Sequence, residues 1–145
     1  MRIAVSACLL GETCKYNGGD NLSEELVDVL RAGCHEVIPV CPEVAGGLPC
    51  PRPPAEIVDG EVRTATGESV DAAFRLGARM SLEAIDDAGG CDVAVLQPRS
   101  PSCGAGQVYD GTFSGRLVAG SGVFAALLEE RGVTILSPEE ARRRL

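Results

Sequence analysis

Seven cysteines punctuate this chain, at positions 8, 14, 34, 41, 50, 91 and 103, with a single histidine at 35. An odd count, scattered along the whole length, points away from a disulfide framework and toward metal binding or thiol chemistry. For each cysteine the plain alternative is a small buried hydrophobe. Zinc is a poor match, because no C-x₂-C pair is present and His35 falls beside none of the promising cysteines. Iron–sulfur clusters do accept widely spaced thiolates. A cubane held by three of them would leave one iron open as a Lewis acid.

Other residues near these cysteines could share such chemistry. Glu43 follows Cys41 by two positions, between Pro42 and Val44. A carboxyl among apolar neighbours has its pKa raised by desolvation and suits proton transfer, whereas its ordinary role is a solvated loop charge. Ser100 and Ser102 flank Pro101 just before Cys103, placed either to donate hydrogen bonds to sulfur or substrate, or to close a turn. Arg52 and Arg99 are candidate clamps for an anionic or carbonyl group, against the alternative of surface ion pairs. Gly122, in "GSGV", precedes a helix whose first N–H groups could hold an anion.

The elements that must position these groups are legible from apolar runs and breakers. Strands are expected over Arg2–Ser6, Glu36–Val40, Asp92–Leu96 and Val133–Leu136, most without clean alternation, which suits strands covered on both faces. Between them, Ser23 caps a helix stopped by Gly33. A longer helix is expected over Val70–Ala88, with Val70, Ala73, Phe74, Gly77, Met80, Ala84 and Ile85 on one face. A third covers Val123–Arg131, and Ser137-Pro138 starts a fourth. Strand alternating with helix predicts an α/β, Rossmann-like architecture: a mainly parallel sheet flanked by helices, in a single domain over residues 1–145. Residues 42–67, with five prolines among them, fit neither period and read as a long irregular functional loop with a small hairpin at Asp59-Gly60. "YDGTFSG" at 109–115 reads as a second hairpin turning at Asp110-Gly111.

Ligand sites in open α/β sheets lie at the carboxyl ends of the strands. Cys8, Cys41 and Cys103 each follow a different expected strand, so the topology brings three distant cysteines to one rim. Cys14 is close enough in sequence to Cys8 to face the same site. Cys34 and Cys91 precede strands and belong at the opposite end; Cys50 lies in the long loop. At this level three converging thiols remain a metal site, a thiol site, or three ordinary buried cysteines.

Composition narrows the function classes. A formal charge of −8 over 145 residues opposes binding to nucleic-acid polymers, while leaving room for a small anion in a locally basic pocket. No apolar run approaches the roughly 20 residues of a membrane span, and the first residues lack a secretory h-region. The expected location is the cytoplasm, with no membrane partner. The oligomeric state is not legible.

The segments "SACLLGETCKYNGG", "PVCPEVAGGLPCPRPPAEI", "RSPSCGAGQVYDGTFSG" and "GSGVFAALLEERGV" together resemble, in order, the blocks of the DUF523 family, which includes thiouracil desulfidases. The resemblance spans nearly the whole chain. It implies a [4Fe–4S] cluster held through Cys8, Cys41 and Cys103, with Glu43 and Ser100 in catalysis. The implied reaction is non-redox: water replaces the sulfur of a thiolated pyrimidine, thiouracil or thio-UMP, and hydrosulfide leaves. Such a protein would depend on iron–sulfur assembly machinery. One departure is Gln97, where the family often carries a lysine. The competing readings are a non-catalytic iron–sulfur or sulfide-binding protein, and a metal-free thiol enzyme working through Cys103.

Overall fold

A computed structural model describes residues 1–145. Its centre is a four-stranded, all-parallel sheet built from β1 (Arg2–Ser6), β2 (Glu36–Val40), β5 (Val93–Val95) and β8 (Thr134–Leu136), in the order β2-β1-β5-β8. β1 is therefore central, pairing Ala4 with Ile38 on one side and with Ala94 on the other. Its unbroken apolar run has the physical cause anticipated from sequence. Ala4 and Ala94 point to one face, where they pack with Ala78 and Ile85 of α3 (Asp71–Asp87) and Phe124 and Leu128 of α4 (Val123–Glu130). Ile3, Val5 and Val95 point to the other, against Leu26 and Leu30 of α1 (Glu24–Ala32) and Ala141 of α5 (Pro138–Arg144). Burying both faces leaves no position for a polar alternation.

The helix boundaries follow local signals. The Ser23 side chain accepts from the Leu26 N–H, and Ser137 and Glu140 form a reciprocal capping box behind Pro138. In α3 the buried stripe is Phe74, Gly77, Ala78, Ser81 and Ile85. Met80 and Ala84, expected on that face, point outward instead; Met80 is 44% exposed. The stripe carries Phe74 and Ile85 and includes Gly77, where a neighbouring element approaches.

That neighbour corrects the reading of residues 42–67. They are not wholly irregular: Pro42–Ala45 forms one helical turn, α2, with Cys41 as its N-cap. β3 (Ala55–Val58) and β4 (Glu61–Thr64) then make the expected hairpin around Asp59-Gly60. The α2 turn lies backbone to backbone on α3. A Cβ on Gly77 would stand 1.6 Å from the Pro42 carbonyl oxygen, and one on Gly46 would stand 2.0 Å from the Ala73 carbonyl oxygen. The second hairpin is wider than expected. β6 (Gln107–Tyr109) pairs with β7 (Leu117–Ala119), so Asp110-Gly111 starts a seven-residue connection and is not itself the tight turn.

No helix is long and apolar enough to cross a membrane.

Candidate active site

The carboxyl ends of β1, β2 and β5 open onto one cavity of about 580 Å³. β1 runs into a 3₁₀ turn over Ala7–Leu10 that carries Cys8; β2 ends at Val40, and Cys41 follows; β5 leads through Gln97–Pro101 to Cys103. Cys8, Cys41 and Cys103 all line the cavity, and Cys14 joins them from the loop after the 3₁₀ turn. All seven cysteines are free thiols. No three of the metal-binding side chains are placed to hold a single ion. The thiols are instead distributed along the cavity wall.

Each thiol has a defined setting. The Asn21 side-chain amide donates to Cys8 Sγ at 3.7 Å, and the Cys41 thiol lies 3.9 Å from the Cys14 carbonyl oxygen. Burial pushes the Cys8 thiol up, against the Asn21 hydrogen bond, with Cys41 and Glu43 adding to the rise. Burial likewise takes Cys103 up to about 12, opposed by hydrogen bonds from Ser6 and Ser102. Cys14 is also pushed up to about 12, by burial and then by Cys41 beside it. A raised thiol is the reverse of an activated nucleophile, which needs thiolate character at neutral pH.

A chain of hydrogen bonds runs along one wall. The backbone N–H groups of Ser102 and Cys103 both donate to Ser100 Oγ, each at 3.1 Å. Ser102 Oγ donates to Glu43 Oε2 at 2.8 Å, so the 2.9 Å contact between the two serine hydroxyls has Ser100 as donor. The other carboxylate oxygen, Oε1, accepts from Arg52 Nε at 3.0 Å. Glu43 is thus not in an apolar niche. The expected apolar surroundings are replaced by a guanidinium and a hydroxyl that hold the carboxylate between them. Ser100 is one hydroxyl removed from it. Ser102, buried at 1% exposure, is the direct partner.

Geometry bears on two further expectations. The Arg52 guanidinium is turned inward, only 5% exposed, and commits its N–H groups to Glu43 and to the Pro49 and Cys14 carbonyls. It lines the cavity and serves there as an internal tie, with three of its donors taken by the protein. Gly122 does not line the cavity: its N–H donates to the Gly104 carbonyl, and the next N–H groups of α4 serve the carbonyls of Pro101 and Ser102. That helix N-terminus is filled by the turn carrying Cys103, leaving nothing for an anion. The glycine is there because a Cβ would meet the Ser102 carbonyl at 2.6 Å.

Arg99 and Gln97 line the cavity, Arg99 on an exposed residue with φ of +66°. Cys50 does not; its thiol meets the Thr13 and Lys15 carbonyls, each at 3.0 Å. Cys34 and Cys91 lie in the turns before β2 and β5, at the far end of the sheet. Sequence reasoning missed the aromatic part of the wall, Tyr16, Tyr109 and Phe113. Such rings offer apolar faces to a flat heterocycle. It also missed Glu56, whose Oε1 accepts from the Gly111 and Phe113 N–H groups and so fixes the loop that presents Phe113. The Asp110-Gly111 turn signal marked that loop, but nothing local indicated which residue it would fold against.

Residues 3–140 match the family model described as 2-thiouracil desulfurase. The chain is 40% identical over 151 residues to "Uncharacterized protein YbbK" of Bacillus subtilis (strain 168), covering 95% of this chain and 96% of that one. Among solved structures it is similar to one described as "[4Fe-4S]-dependent thiouracil desulfidase TudS". The TM-score is 0.87 at 41% identity, with 99% of this chain and 97% of that chain covered.

Proposed function

The chain belongs to the 2-thiouracil desulfurase family, and from that premise we propose that it is a [4Fe–4S]-dependent desulfidase. Its substrate is a thiolated pyrimidine, thiouracil or thio-UMP, whose sulfur leaves as hydrosulfide while water takes its place. The similarity to a structure described as a [4Fe-4S]-dependent thiouracil desulfidase supports the cofactor. The observation that carries the reading is the meeting of Cys8, Cys41 and Cys103, from three strand ends, around one cavity of about 580 Å³.

Those three thiols are the proposed cluster ligands. The donor set fits, with free sulfurs spread around a hollow, none paired in a disulfide and none gathered on a single ion. When bound there, the cluster supplies an open, thiophilic iron that acts as a Lewis acid toward a thiocarbonyl sulfur. In the cell, iron–sulfur assembly machinery would load it.

The remaining work falls to the protein. Its cavity is within the range of roughly 300–1,000 Å³ usual for small-ligand sites, and Tyr109 and Phe113 give a flat ring something to pack on. Glu43 is the proposed general base. It takes a proton from the attacking water and returns it to the ring or the departing sulfur. Ser102 and Ser100 keep its second oxygen oriented and offer a path for that proton. In the balance, the C=S bond breaks, a C=O bond forms with the oxygen of water, one of the water's protons leaves with the sulfur as hydrosulfide and the other goes to solvent, and no electrons are exchanged with an outside donor.

The test is anaerobic reconstitution followed by measurement of hydrosulfide from 2-thiouracil, 4-thiouracil and 4-thio-UMP. Release from at least one of them, dependent on iron loading, is expected. A loaded brown protein that releases none would make this a cluster-carrying protein, and activity in a colourless preparation would make it a thiol enzyme.

A further inference from the structure

Arg52 is the most deeply committed charged side chain at this site. Its backbone N–H donates to the Tyr16 carbonyl at 2.6 Å. Its guanidinium reaches Glu43 Oε1 at 3.0 Å, the Pro49 carbonyl at 3.2 Å and the Cys14 carbonyl at 2.8 Å. One side chain thus ties together the α2 turn, the proline-rich segment behind it and the loop over residues 14–16. With 5% of that side chain exposed and 16% of the Glu43 side chain exposed, the pair is shielded from the solvent screening that makes surface ion pairs weak.

The fork geometry fixes direction as well as charge. The Nε and terminal nitrogens of a guanidinium are coplanar, so binding two carbonyls sets the plane from which Nε addresses the carboxylate. Glu43 sits in the four-residue helix α2, and its Oε1 is held from outside that helix by the Arg52 Nε. Its second oxygen is held by Ser102 from the opposite side. Removing the guanidinium would leave the carboxylate with one tether and without its charge partner, and would free the Cys14 carbonyl of its donor.

We propose that Arg52 is a positioning residue that holds the Glu43 carboxylate in its working orientation and makes no contact with substrate. This rests on the reading of Glu43 as the general base. Misplacement of a catalytic group by about 1 Å costs on the order of 10²-fold in rate. Arg52→Gln is therefore expected to lower kcat by about that factor, with KM changed less than about threefold. Arg52→Lys keeps a charge but loses the planar fork, and should fall between, roughly tenfold down.

The experiment compares Arg52→Gln, Arg52→Lys, Glu43→Gln and the double variant Glu43→Gln/Arg52→Gln, each reconstituted anaerobically. It reads hydrosulfide release as kcat and KM, iron per chain, and thermal unfolding of the apo-protein. If Arg52 acts through Glu43, the two losses do not add. Arg52→Gln placed in the Glu43→Gln background costs less than about threefold more, and iron per chain stays at the level of the unaltered protein. Additive losses, a raised KM with kcat preserved, or iron lost in step with activity would each overturn the proposal. A fully active Glu43→Gln variant would sink the general-base reading and this proposal together. An inactive Glu43→Gln beside a fully active Arg52→Gln would sink this one alone. Should Arg52→Gln fail to fold, the kcat and KM of Arg52→Lys decide between the outcomes.

Discussion

Substituting Gly77 by alanine sets two known effects against each other. Gly77 lies inside α3, with no positive φ, so helix propensity alone favours alanine by roughly 0.8–1 kcal/mol. The packing says the opposite. The added Cβ would stand 1.6 Å from the Pro42 carbonyl oxygen, 2.7 Å from its carbon and 2.8 Å from the Gly46 nitrogen. All three are backbone atoms, so no rotamer change relieves the clash. Reaching even 3.0 Å requires α2 to lift from α3 by about 1.4 Å, which is more than the ~1 Å misplacement that costs on the order of 10²-fold in rate. Overpacking costs about 1–3 kcal/mol, and a rigid contact belongs at the upper end. The net expectation is a loss of about 1–2 kcal/mol, hence a fall of several degrees at roughly 2–4 °C per kcal/mol for a chain of this size. Because α2 carries Cys41 and Glu43, the reconstituted enzyme should also lose on the order of 10²-fold in hydrosulfide release. Urea unfolding of the apo-protein and an anaerobic turnover assay check the two parts. A Gly77→Ala variant at least as stable as the unaltered protein, with its rate preserved, would refute the view that this close approach sets the site.

Two further predictions concern the supports of the site. Gly122→Ala would drive a Cβ to 2.6 Å from the Ser102 carbonyl group, so it should displace the Cys103 turn, lowering both thermal stability and iron uptake. Unchanged iron per chain would contradict that. Asp71 at the start of α3 is a test by pH. Burial raises its pKa, but the Arg75 hydrogen bond and the Val62 N–H outweigh it, leaving the folded carboxyl below its ordinary 3.8. A folded pKa below the unfolded value stabilises the native state above pH 3.8, and that contribution disappears as pH falls through the folded value. Asp71→Asn should therefore be the less stable protein near neutrality, with the gap closing below pH 3.8. A gap independent of pH would show the charge to be irrelevant.

Much of the frame was legible in the residues. β1 and β2 begin and end where their apolar runs do, and Gly33 ends α1 as expected, because these limits are set by local signals. The placement of Cys8, Cys41 and Cys103 on one rim followed from parallel topology alone, since every strand of such a sheet delivers its next residue to the same end. What was not legible depends on how irregular segments fold over that rim. The α2 turn is four residues long, too short to show a period, and Pro42 disguised it as loop. Arg52 reads as a clamp until the carbonyls of Pro49 and Cys14 are seen to take its donors. Gly122 reads as an anion loop until the Cys103 turn is seen to occupy the same N–H groups. Cys14 could be placed near the site by sequence distance, but its approach to Cys41 is tertiary.

The most direct measurement is iron and acid-labile sulfide per chain after anaerobic reconstitution of single cysteine-to-alanine variants. Cys8→Ala, Cys41→Ala and Cys103→Ala should each fall well below the about four irons of a filled cubane. Cys34→Ala and Cys91→Ala, at the far end of the sheet, should bind as the unaltered protein does. Cys14→Ala is the sharper control, since that thiol lines the same cavity without following a strand, and it should retain the cluster. Full iron in any of the first three, or its loss in Cys34→Ala, would contradict a cluster held by the three strand-end thiols.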